Sequence, residues 1–156
     1  MDFLLSDHAE AKQLREHFVF KIIPMLNPDG VIYGNYRSSL LGTDLNRRYM
    51  NPSRALHPPV YYAKELARSF QAEKRIVMYV DFHGHSRKKN VFMYGCFGGH
   101  NEYQSHRTNS LIRMVPYMLS QRSRIFSYKD CRFENKKDKE TTSRMVFFKE
   151  FSIVNS

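Results

Sequence analysis

The stretch PPVYYAKELARSFQAEKRIVMYVDF, residues 58–82, does most to limit how this chain can fold. Its first part, 58–74, carries Pro near the first turn and helix formers after it, which predicts a helix. Residues 75–82 then crowd β-branched and aromatic side chains into a run too short for a further helix, and they read as a buried strand. A helix running straight into a buried strand is half of an α/β unit, and the rest of the chain repeats the alternation.

FVFKIIP (18–24) alternates and closes on Pro24, so it predicts a strand. VFMYG (91–95), SRIFSYKDCRF (123–133) and SRMVFFKEFSI (143–153) predict three more, the last two around a charged loop, ENKKDKETT. DHAEAKQLREH (7–17) is rich in helix formers, with Ala11, Leu14 and Phe18 at helical spacing, and Met1–Leu5 reads as the end of an apolar helix. NSLIRMVPYMLSQ (109–121) predicts a helix interrupted or kinked at Pro116. NPDG (27–30) is a turn signal: Pro fixes φ, Asp bonds its own backbone and Gly accepts positive φ. From Val31 to Pro58 no period lasts, and a loop of that length inside a domain points to function. The fold class expected is α/β, a sheet with helices packed on it. The chain opens within a helical pattern and closes on the apolar FSIVNS with no turn after it, so it is expected to be an excerpt of a larger domain.

The formal charge of +10, from 25 Lys and Arg against 15 acidic residues, favours an anionic partner. Nucleic acid is not expected, because no RNP, KH or zinc-finger pattern accompanies the charge. No segment approaches the roughly 20 apolar residues that span a bilayer, so no membrane is expected either. MDFLLSDHAEAK lacks the basic start and full apolar stretch of a signal peptide. Cys96 and Cys131 are too far apart for a metal or redox motif and are expected as core thiols of a cytoplasmic protein.

Two stretches carry chemistry. In DFHGHSRKKN (81–90), His83 and His85 sit two apart, so a strand places both on one face. Metal ligation, a basic contact surface at Arg87, Lys88 and Lys89, and a solvated strand end all fit that pattern. In GNYRSSLLGTDLNRRYMNP (34–52), Arg37, Asn46, Arg47 and Arg48 stand in the long loop. A guanidinium forks onto a carboxylate with two parallel hydrogen bonds, and a neighbouring amide completes such a cradle. An Arg aimed at a carbonyl stabilises a developing oxyanion. Solvated loop charge is the plainer account of the same four residues.

Taken in order, NPDG, GNYR, GTDLNR and DFHGHSRKKN resemble the carboxypeptidase A-like zinc carboxypeptidases, and in particular the cytosolic carboxypeptidases. The resemblance runs over essentially the whole chain and includes KDKETTSRMVFFKE. It implies that residues 1–156 form the central part of a carboxypeptidase A-like mixed β-sheet flanked by helices. It implies a metallocarboxypeptidase that trims C-terminal or branched glutamates from acidic protein tails such as those of tubulin. His83 matches the histidine that completes the family's zinc site, and His85 then stands as its neighbour. Arg37 matches the arginine that polarises the scissile carbonyl, while Asn46 and Arg47 match the pair that grips the terminal carboxylate. Arg48 matches no role.

The family's other two zinc ligands come from an HxxE motif, and none of the seven histidines here begins one. The general-base glutamate of the family follows a segment that would start where this chain ends. With one protein ligand instead of three and no carboxylate to take a proton from water, the 156 residues alone are expected to be inert. A non-catalytic module that holds acidic tails through Arg37, Arg47 and the basic turn at 87–89 is the alternative from another class.

Overall fold

The computed structural model describes residues 1–98 and 102–153. Six α-helices occur among them: α1 (Asp2–Leu5), α2 (Ala9–His17), α3 (Pro28–Tyr33), α4 (Pro58–Glu73), α5 (Glu102–Arg122) and α6 (Ser143–Phe151). Short 3-10 turns lie at Leu45–Arg47, Tyr128–Asp130 and Lys137–Lys139.

α4 follows the expected logic. Pro58 and Pro59 occupy a first turn whose N–H groups need no partner, and Val60, Lys64 and Ala67 make its buried stripe. α5 carries Pro116 in its interior, with Ile112 and Pro116 both buried one turn apart.

Two expectations are corrected. Residues 143–153 do not form a strand; Ser143–Phe151 is helical. Met145, Val146 and Phe147 are buried in succession, along with Ser143 and Phe151, so this helix is enclosed on several faces. A helix enclosed all round loses its polar face, and its apolar run then looks like a buried strand. NPDG is not a free turn but the start of α3, with the Asn27 side chain accepting from Gly30 N at 3.1 Å. Gly30 is needed there for close approach rather than for positive φ: a Cβ would sit 2.8 Å from the Ser38 carbonyl oxygen and 2.2 Å from Asn27 Nδ2. The positive φ values belong to Gly34 and Gly42 in the loop beyond.

The expected sheet is not formed by these residues on their own. No strand forms among the described residues, and three isolated bridges stand in its place. Residues 91–95 and 125–132 come nearest, joined in parallel at Val91–Phe126 and Tyr94–Arg132. Ser127 N donates to Val91 O at 2.8 Å, and Arg132 N to Met93 O at 3.1 Å. Residues 18–24 and 75–82 carry neither helix nor strand, with a single bridging position at Met78. Phe18, Val19, Ile22, Val77, Val80 and Phe82 are exposed as a result.

The core lies between α4, α6 and the loop after the first 3-10 turn. Leu45, Tyr49, Val60, Ala67, Val146, Phe147, Phe151 and Ile153 form it, with Leu26, Ile76 and Tyr79 packed against it. Phe147 is its hub, stacked on Tyr79 at 3.9 Å between ring centroids and edge-on to Tyr49 at 6.1 Å. Cys96 and Cys131 are both buried and are not joined in a disulfide, as expected of core thiols.

Candidate functional site

The loop between α3 and α4 is held by local hydrogen bonds. Asn27 Nδ2 donates to Ser38 O at 3.2 Å, which ties the start of α3 to the far side of the loop. Ser38 and Asp44 then bridge in antiparallel fashion around a turn at Gly42. Asp44 caps the following 3-10 turn, its carboxylate accepting from Asn46 N at 2.9 Å. Leu45 and Tyr49 anchor this turn in the core, so Asn46 and Arg47 are presented from a fixed base. Lys64 of α4 closes the far end, donating to the carbonyls of Tyr49 and Met50 at 2.9 and 2.8 Å and to Glu150 at 2.7 Å.

Asn46 and His83 meet across this framework, with Asn46 Nδ2 3.3 Å from His83 Nε2. The orientation of the Asn46 amide is fixed from behind, because its Oδ1 accepts the backbone N–H of Ser143 at 3.0 Å. His83 Nε2 lies 2.8 Å from Asp81 Oδ2, a charge-assisted contact that claims the Nε2 proton. The Asn46 amide nitrogen is therefore a close neighbour of the ring rather than a donor to it. Asp81 Oδ2 also accepts the Ser143 hydroxyl at 2.5 Å. The Asp81 hydrogen bond raises the His83 pKa above its ordinary value, opposed by partial burial and by repulsion from Arg37.

Arg37 is exposed, its guanidinium 5.2 Å from the centre of the Tyr36 ring. Arg47 is half-buried and donates to the Asn46 carbonyl at 3.0 Å. Of the residues singled out in the sequence, Asn46 and His83 are thus in contact with Arg47 adjacent, while Arg37 packs against Tyr36 on the same loop.

His85 faces elsewhere. Its Nδ1 accepts the N–H groups of Arg87 and Lys88 at 3.1 and 3.0 Å, and its ring packs edge-on to Phe92. The histidine therefore shapes the basic turn. Lys88 is also engaged, donating to Asp130 O at 2.7 Å and lying over Phe92 and Tyr94. Arg87 and Lys89 are the turn's exposed cations.

Two participants escaped the sequence reading. Asp81 could have been found from its spacing, since residues two apart in an extended segment share a face. Ser143 follows two threonines ahead of an apolar run, a helix-start signal hidden by the strand reading of 143–153.

The donor set fits zinc in part. With Nε2 turned to Asp81, His83 keeps Nδ1 for a metal, and a histidine oriented by a carboxylate is the usual ligand arrangement. Among the described residues no group of three His, Cys, Asp or Glu side chains is placed to hold a metal ion. No described helix is long and apolar enough to cross a membrane.

Comparison with known proteins gives a consistent picture. Residues 1–147 match the family model described as zinc carboxypeptidase. The chain is 45% identical over 165 residues to cytosolic carboxypeptidase 1 of Xenopus laevis, covering all of this chain and 14% of that protein. It is 47% identical over 150 residues to cytosolic carboxypeptidase 2 of Danio rerio, covering 96% of this chain and 20% of that protein. The chain therefore spans a small part of the length of these relatives. Its structure is similar to a metallo-carboxypeptidase from Burkholderia cenocepacia, with a TM-score of 0.74 at 22% identity over 93% of this chain and 36% of that one. That likeness shows a carboxypeptidase fold for the segment.

Proposed function

The chain belongs to the zinc carboxypeptidase family, and from that premise we propose that it is the substrate-gripping part of a cytosolic carboxypeptidase catalytic domain. The reaction is hydrolytic removal of C-terminal or branched glutamates from acidic protein tails, tubulin's among them, in the cytoplasm. The observation that carries this reading is the meeting of Asn46 and His83, brought together at 3.3 Å from well-separated parts of the chain.

Asn46 and Arg47 take the substrate's terminal carboxylate in this reading, and Arg37 faces the scissile carbonyl, where negative charge develops. His83 supplies one zinc ligand through Nδ1. Bound zinc would supply Lewis acidity at that carbonyl and lower the pKa of water beside it. Two further ligands and the general-base glutamate come, on this proposal, from other parts of the complete protein. The 156 residues alone bind zinc weakly and do not turn over. In the complete domain the extended segments 18–24, 75–82 and 91–95 gain neighbours and join a mixed sheet of the carboxypeptidase A type.

The test uses the complete protein that carries this segment, loaded with zinc and given a peptide ending in several glutamates. Chelator-sensitive release of free glutamate is expected. Release that survives chelation, or none from a folded and zinc-loaded protein, overturns the proposal. A non-catalytic module binding acidic tails is the second reading, favoured by the lack of a three-donor cluster among the described residues. It predicts tight peptide binding with no glutamate released.

A further inference from the structure

Ser143 is buried at the start of α6 and makes two hydrogen bonds of different kinds to the site. Its hydroxyl donates to Asp81 Oδ2 at 2.5 Å, and Asp81 accepts a hydrogen bond from the Nε2–H of His83. Its backbone N–H donates to Asn46 Oδ1 at 3.0 Å. That N–H is free to do so because the first donors of a helix have no partner within it. From these contacts we infer that Ser143 is a positioning residue that orients both halves of the site: the metal-facing nitrogen of His83 through Asp81, and the amide of Asn46 directly.

The hydroxyl holds Asp81 against the ring, so the histidine proton stays on Nε2 and the lone pair of Nδ1 faces outward. The N–H holds Asn46 with its oxygen inward and its NH2 group toward the space beside His83. An amide turned the other way would present an oxygen to a substrate carboxylate and repel it. One residue therefore keeps ligand and grip in register, although neither hydrogen bond touches substrate. The inference rests on the proposed carboxypeptidase reading for its kinetic consequences, but not for its effect on metal affinity.

The two hydrogen bonds can be removed separately. Ser143→Ala deletes the hydroxyl and keeps the N–H. Ser143→Pro deletes both, at a first-turn position that suits proline, after a Thr142 whose extended backbone, at ψ 156°, also suits it. Both are made in the complete protein, with zinc affinity of the metal-free form measured by chelator competition and kinetics measured on the loaded form.

Ser143→Ala is expected to weaken zinc binding by roughly 10–100-fold with KM nearly unchanged. Ser143→Pro should show the same loss and raise KM by about tenfold or more, since a hydrogen bond to a charged group is lost. A purely structural role would lower the folded fraction without separating zinc affinity from KM. Unchanged zinc affinity in Ser143→Ala overturns the inference, as does an equal shift of KM in both variants.

If Ser143→Pro does not fold, a cycle of Ser143→Ala with Asp81→Asn decides. Losses of zinc affinity well short of additive support action through Asp81, and additive losses overturn it. A wild-type protein that binds zinc without releasing glutamate sinks the carboxypeptidase reading. An active wild type with indifferent variants sinks only the role of Ser143.

Discussion

Lys64 Nζ lies 2.7 Å from Glu150 Oε1, and the two ends of this ion pair have unequal access to water: the lysine side chain is 2% exposed and the glutamate 37%. The pair joins α4 to α6, while the same ammonium holds the two carbonyls that end the Asn46 loop.

That inequality orders two substitutions. Glu150→Ala leaves a buried ammonium with its two carbonyl acceptors but no counter-charge, and should cost about 3 kcal/mol. Lys64→Met leaves a glutamate free to hydrate and two carbonyls short of a donor, and should cost less, about 1–2 kcal/mol. Urea denaturation of both variants reads the difference. A larger loss in Lys64→Met would mean that the carbonyl contacts, not the ion pair, carry the stabilisation.

A second expectation concerns alkaline pH. Burial, reinforced by the charge of Asp81, pushes the Tyr79 hydroxyl up to about 12, and burial pushes Tyr49 higher still. A folded-state pKa above the unfolded one means that folding favours the neutral phenol. The stabilisation is whole below pH 10 and drains away as pH rises from about 10 toward 12. Melting temperatures of wild type and Tyr79→Phe should therefore converge over that window. A gap between them that stays constant would show that Tyr79 does not titrate as a buried phenol.

How much of this was legible depended on whether a residue acts through its neighbours in sequence or through distant ones. α4 was readable because prolines at its first turn and the helix formers after them are local signals. α6 was not, since Met145, Val146 and Phe147 are buried in a row and erase the helical period. Arg37, Asn46, Arg47 and His83 stood out by motif, and of these Asn46 meets His83 with Arg47 beside it. Ser143 reaches Asp81 across 62 positions and Asn46 across 97, distances that no window of local sequence encodes. The sheet is incomplete among the described residues for a related reason: strand patterns in 18–24 and 75–82 state a preference, and a ladder also needs aligned partners.

The basic turn divides its charges. Lys88 is committed to Asp130 O and to two aromatic rings, whereas Arg87 and Lys89 are exposed. Replacing Arg87 and Lys89 with Gln in the complete protein should weaken binding of a long glutamate-rich peptide more than that of a short neutral one. The difference should fade as salt screens it. Lys88→Gln should instead lower the melting temperature with little change in salt dependence. Equal salt dependence in wild type and the double variant would remove this turn from substrate recognition.

Arg37 and Arg47 should part company kinetically in the zinc-loaded complete protein. Arg47 stands beside Asn46 on the core-anchored 3-10 turn, so its proposed contact with the terminal carboxylate already exists in the bound substrate. Arg47→Ala should then raise KM strongly, with kcat falling only as far as the substrate is misplaced. Arg37 is exposed beside the Tyr36 ring, and in the proposed reading it faces the scissile carbonyl. Its contact strengthens as negative charge develops, so Arg37→Ala should lower kcat by roughly 10²–10³ with KM little changed. Lysine should rescue Arg37 in part, because charge alone serves an oxyanion, and should rescue Arg47 poorly, because a fork is needed there. Steady-state kinetics on a glutamate-ended peptide separates the two patterns. An Arg37→Ala variant with intact kcat would mean that the carbonyl is polarised by another group, with Arg48 on the same loop the next residue to replace.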